Sequence, residues 1–224
     1  EDDGERFIFL CRTALESVRH LNWRPDVIHC HDWHTGLVPN WLKTTYREDP
    51  FFRGVKSLFT IHNLAYQGLF GREILEVTGI ADETVYVPDL GEIVDFMARG
   101  IIFADKVNTV SERYAQEICT PEYGERLDSF LRDRGEDLHG VLNGIDVELF
   151  DPKTDPNLVL NFDAATLENK AVNKKALQNE AGLEPDAGRP LCGFIARVSH
   201  QKGMELLEAT LPPLIRAGGQ FILL

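Results

Sequence analysis

Asp26-Val27-Ile28-His29-Cys30-His31-Asp32-Trp33-His34-Thr35-Gly36, residues 26–36, decides the fold. Asp26 to Cys30 has the length and apolar content of a short strand, His31 to Gly36 is a polar turn, and a helical pattern follows to about Tyr46. A strand that passes through a turn into a helix is half of a βαβ unit, so the fold class is α/β, with a parallel sheet flanked by helices.

The same alternation runs outward in both directions. Upstream, Phe7, Leu10, Cys11, Ala14, Leu15 and Val18 recur at helical spacing and predict an amphipathic helix near 5–20, with Pro25 closing its connection. Downstream come a strand at Val55–Ile61, the loop His62–Gly68 and a loop-rich region with short helices to Pro88. A helix near 92–103 then delivers a strand at Lys106–Val110. Ser111 is the expected N-cap of a helix from Tyr114 to Ile118, with Pro121 just beyond it, and Leu138–Leu142 is a further strand. The turn-rich stretch from Asn143 through Asp151-Pro152 and Asp155-Pro156 places a domain boundary near 145–165. Beyond it, a helix from about Ala165 to Ala181, a strand at Leu191–Ala196 and a helix beginning near Gly203 start a second domain. Residues 1–150, 151–190 and 191–224 are therefore expected as a first domain, a linker with its helix, and the beginning of a second domain. Asp128–Asp137 is dense in charge and reads as a solvated helix face and loop.

Composition narrows the partners. The 224 residues are 43% hydrophobic and 26% charged, suited to one or two domains of a soluble protein. With 23 basic against 36 acidic side chains the formal net charge is −13, which disfavours nucleic acid and anionic membrane surfaces. A bound anion therefore has to be held by local cations and helix N-termini. Cys11, Cys30, Cys119 and Cys192 lie in apolar stretches without C-x-x-C spacing, which reads as four buried thiols in a reducing, cytoplasmic setting. No run approaches the roughly 18 apolar residues of a membrane helix, and no charged-then-apolar leader opens the sequence. A start at Glu1 and an end inside the apolar run Gln220–Leu224 read as those of a fragment.

Four constellations could carry chemistry. Arg197-Val198-Ser199-His200-Gln201-Lys202-Gly203 falls where a strand ends and a helix begins, and two cations beside free helix N–H groups suit a diphosphate; two solvated cations flanking a loop fit the same spacing. On a strand His29 and His31 share a face, so H-x-H could belong to a zinc hydrolase; the same segment could bind a sugar through Asp32, or hold a satisfied buried histidine. His62-Asn63 ends a strand, where an imidazole and an amide can read hydroxyls or simply shape a turn. Asn143-Gly144-Ile145-Asp146 follows another strand, with a tight turn as its ordinary use.

Taken in order, Pro25–His34, Phe59–Gly68, Asp105–Ser111, Leu142–Asp146 and Arg197–Gly203 resemble the bacterial-type glycogen synthases and the starch synthases, retaining glycosyltransferases of the GT-B fold. The resemblance covers nearly the whole chain and implies Rossmann-like domains, ADP-glucose or UDP-glucose as donor and an α-1,4-glucan end as acceptor. It implies no metal and no cofactor, the nucleotide sugar being a substrate. By the same resemblance Arg197 and Lys202 bind the donor diphosphate, His62 meets the transferred glucose, Asp32 lies near acceptor and sugar, and Asn63, Asn143 and Gly203 contribute to substrate binding. A plastid stroma replaces the cytoplasm as the expected location for a plant source. The family's K-x-G-G loop and its later glutamate-bearing motif are not found in the sequence, so the chain by itself is expected to be inactive. Another GT-B transferase, of sucrose or trehalose type, the zinc hydrolase, and a non-catalytic carbohydrate-binding or regulatory relative that keeps the fold remain the alternatives.

Overall fold

The computed structural model describes residues 2–80, 85, 87 and 91–224. Its chain contacts divide at Gly144 and Ile145 into two compact units.

The first unit opens with α1 (Asp3–His20), β1 (Val27–His31), a 3-10 turn at Trp33–Thr35 and α2 (Leu37–Lys43). There follow β2 (Lys56–Ile61), β3 (Leu69–Phe70), α3 (Ile74–Thr78), β4 (Val94–Asp95) and α4 (Phe96–Phe103). β5 (Lys106–Thr109), α5 (Glu112–Glu117), α6 (Asp128–Arg134) and β6 (Leu138–Gly140) complete it. The main sheet has the order β1-β2-β5-β6 and every pair is parallel, as the strand–helix alternation requires; β3 and β4 form a separate antiparallel ribbon. All four carboxyl ends therefore open on one edge, the edge where α/β sheets bind ligands.

The core explains these elements. Phe59 and Ile61 of β2 and Val107 of β5 are buried against Met97 and Ile101 of α4. The indole N–H of fully buried Trp41 donates to the carbonyl of Thr78. The buried stripe of α1 is Ile8, Cys11 and Leu15, whereas Leu10 and Ala14, expected on it, are exposed. The second helix stops at Lys43 rather than near Tyr46, because the carbonyl of Trp41 takes the N–H groups of both Thr44 and Tyr46. The helix expected near 92–103 begins only at Phe96, where the carboxylate of Asp95 accepts from Ala98 N–H as its cap. Ser111 caps α5 as expected, its Oγ accepting from Tyr114 N–H at 2.9 Å. Part of the loop-rich region to Pro88 lies outside the described residues.

Two expectations need correction. Arg134, placed on a solvated face, is half-buried and donates to the carbonyls of Ile102, Ala104 and Asp105, tying α6 to the end of α4. Cys11 and Cys30 are buried thiols that burial pushes up to about 12, but Cys119 is half-exposed and Cys192, on a strand of the second unit, is exposed. An apolar neighbourhood in sequence buries a thiol only where another layer covers its strand or helix face.

The second unit contains α7 (Lys170–Glu180), β7 (Leu191–Phe194), α8 (Met204–Arg216) and β8 (Gln220–Leu223), with β7 and β8 parallel. Gln178 of α7 reaches both the Asp186 carbonyl and Gln220 Oε1 at 2.5 Å, fastening α7 to β8. Among the described residues no helix is long and apolar enough to cross a membrane.

Candidate active site

The carboxyl edge of the first unit gathers three of the residues singled out by sequence. Asp32 follows β1 directly, and its Oδ1 accepts from His62 N–H at 2.8 Å and Asn63 N–H at 3.3 Å. Its backbone sits at φ 53°, ψ −177°, a region costly for any residue with a Cβ, and its own N–H donates to the Thr60 carbonyl. One carboxylate thus fixes where β2 ends and where the imidazole of His62 begins. Asn63 turns its Oδ1 onto Ala65 N–H, shaping the loop.

The rest of that loop is held from both sides. Leu64 N–H donates to the Tyr114 hydroxyl at 3.2 Å, and burial raises that phenol above its ordinary pKa. Gln67 Nε2 donates to the Glu125 carbonyl. Gly68 has φ +67°, and a Cβ there would stand 2.3 Å from the Trp33 ring. Only glycine lets the loop pass that indole, which itself packs edge-on to Phe7 and over His34.

His29 and His31 share a face as their spacing predicts, with ring centroids 4.1 Å apart. His29 Nε2 lies 2.6 Å from Thr60 Oγ1, whose hydroxyl donates to Asn108 Oδ1. Burial, then the neighbouring His31 and His62, lower the pKa of His29. His31 Nδ1 stands 3.0 Å from His62 Nε2. Among the described residues no group of three or more His, Cys, Asp or Glu side chains is arranged to hold a metal ion, so the hydrolase alternative has no ligand set there. The roles of Tyr114, Thr60 and Asn108 escaped sequence reading. Alternation along β2 and β5 would have put Thr60 and Asn108 side by side had the strand register been known.

In the second unit Arg197 lies exposed in the loop after β7, and Lys202 ends a 3-10 turn at His200–Lys202. Gly203 adopts φ +74° and leads into α8, so the chain turns sharply between Lys202 and the first turn of that helix. His200 Nδ1 pairs with Glu205 Oε1 at 2.5 Å. Asn143 is exposed beyond β6, and neither it nor Gly144 takes a positive φ, so no tight turn of that kind forms.

Residues 1–133 match the family model described as the starch synthase catalytic domain. The chain belongs to this family. Over its whole length this starch synthase-type chain is 50% identical to a glycogen synthase of Moorella thermoacetica, of which it covers 46%. Over 92% of its length it is 46% identical to a glycogen synthase of Thermotoga maritima, covering 43% of that protein. Among solved structures it is similar to the catalytic domain of starch synthase IV from Arabidopsis thaliana bound to ADP and acarbose, at 36% identity and a TM-score of 0.91, covering all of this chain and 47% of that one. The fold is accordingly the α/β GT-B type, and the chain spans about half the length of these relatives.

Proposed function

We propose that the full-length protein is a retaining glucosyltransferase that moves glucose from ADP-glucose, or UDP-glucose, to the non-reducing end of an α-1,4-glucan. The observation that carries this reading is Asp32 bridging His62 and Asn63, which sets an imidazole at the carboxyl edge of a parallel sheet in a chain of the starch synthase family. ADP in the Arabidopsis starch synthase structure favours the adenine donor.

In this reading the bond between the anomeric carbon and the diphosphate oxygen breaks first. Negative charge builds on the departing diphosphate, and Arg197 and Lys202 receive it together with the N–H groups at the start of α8. These local cations matter because the net charge of −13 on this chain works against an anionic donor. His62 binds a sugar hydroxyl and stabilises the oxocarbenium-like ring, and Asp32 holds it there while lying near the acceptor. The acceptor hydroxyl adds on the face the diphosphate left, and its proton departs with that group. The same family resemblance assigns Asn63, Asn143 and Gly203 to substrate binding. No step requires a metal or a cofactor. A cytoplasmic location accords with the free thiols of Cys11 and Cys30.

Glucan elongation by the full-length protein with each donor in turn tests the proposal. Incorporation of glucose into glycogen from at least one of them is expected; hydrolysis of the nucleotide sugar without chain growth overturns it.

A further inference from the structure

We propose that His31 is a positioning residue for His62, holding the plane of its imidazole and engaging its Nε2 through the hydrogen bond between Nδ1 of His31 and Nε2 of His62. This rests on the reading of His62 as the residue that meets the sugar. A bond between two ring nitrogens at 3.0 Å needs one proton, donated by one ring and accepted by the other. The His62 nitrogen so engaged is defined, and Nδ1 is left as the atom to turn toward a hydroxyl.

The support behind His31 gives the pair its rigidity. His31 belongs to β1, whereas His62 is the first residue past β2, where its side chain is exposed and has rotamers to choose from. The ring of His31 lies against that of His29 at 4.1 Å. His29 is fixed in turn, because the one hydroxyl proton of Thr60 goes to Asn108, so Thr60 can only accept from His29 Nε2–H. The row Asn108, Thr60, His29, His31 thus crosses three parallel strands and ends on His62. Two consecutive residues hold different parts of His62, since Asp32 places its backbone and His31 places its ring. A reacting group held in this way has less freedom to lose when the sugar arrives.

The test uses the full-length protein with His31→Ala, His31→Asn, His62→Ala and the double variant His31→Ala/His62→Ala, together with nitrogen-15 NMR of the histidine rings. Asparagine carries an amide near the place of Nδ1 and so restores the bond. His31→Ala is expected to lower kcat about tenfold or more with KM for the nucleotide sugar changed less than about twofold. His31→Asn recovers to within about threefold of the parent, and the double variant is no slower than His62→Ala alone, as for residues that act as one unit. The His62 ring resonances shift in His31→Ala. Additive losses in the double variant, an asparagine variant no better than alanine, or unmoved His62 resonances each overturn the proposal. A His62→Ala variant with undiminished turnover overturns instead the sugar-binding reading of His62; the ring pairing is then decided by the NMR alone.

Discussion

The carboxylate of Asp32 accepts the backbone N–H of His62 at 2.8 Å across 30 positions of sequence, from a backbone conformation that few residues with a Cβ adopt. Strain at one strand end is offset by bonds to the next, so removing the side chain and relieving the backbone have separable effects. Asp32→Ala keeps the strain and loses both bonds, and is expected to cost about 1–3 kcal/mol. Asp32→Gly loses the same bonds but relieves the backbone, recovering about 1 kcal/mol of that cost. Urea unfolding midpoints of the two variants check the order; a glycine variant less stable than the alanine one contradicts it.

Gly68→Ala strains the loop twice, through φ +67° and through a Cβ 2.3 Å from the Trp33 ring. A loss above about 1 kcal/mol is expected, with a shift in tryptophan emission as the indole moves. Thermal unfolding and fluorescence read both.

Lys202→Ala in the full-length protein removes one of the two cations proposed to receive the diphosphate. A fall in kcat of about a hundredfold or more is expected, with a smaller change in acceptor KM, because the charge it meets develops in the transition state. Steady-state kinetics with each nucleotide sugar measure it.

Asp105 ties the amino-terminal ends of β2 and β5 together. Burial pushes its carboxyl up, but Lys43 at 2.7 Å, Ser57 N–H at 2.9 Å and Lys56 at 3.2 Å outweigh that and hold it at about 2. A depressed folded value stabilises the protein above the unfolded pKa near 4, and that contribution is lost as pH falls from about 4 to 2. At this partly exposed site it amounts to no more than roughly 2 kcal/mol. Asp105→Asn is expected to flatten acid unfolding in that window, as followed by circular dichroism.

Asp95 has the opposite sign. Burial pushes its carboxyl up to about 7 against the bonds from Ala98 and Met97 N–H and the nearby Arg126 and Arg99. The folded state therefore holds a proton that the unfolded chain releases, and the stability this brings is lost as pH rises from about 4 to 7. Asp95→Asn keeps the cap acceptor of α4 and removes the titration. Denaturant midpoints between pH 4 and 8 are expected to vary less in the variant than in the parent.

Much of this molecule is legible in its sequence. Ser111 was readable as a cap because the capping oxygen and the N–H it accepts from lie three positions apart. The strands at 27–31, 56–61 and 106–109 were readable because each is a short stretch between turn residues in a chain where such stretches alternate with helical patterns. Arg134 was misread because charge density in a sequence does not reveal that three carbonyls at the end of another helix will take a guanidinium.

Sequence by itself determined the α/β class through its periodicity, and the order of its motifs carried the resemblance to the family and named the residues proposed to react, since these are properties of neighbouring residues. Only the tertiary structure decided that Asp32 serves the backbone of His62, that His31 meets its ring and that Tyr114 props the same loop. Those partners stand 30, 31 and 50 positions apart, and their meeting depends on strand register and helix packing, which the whole core sets at once and no local stretch encodes.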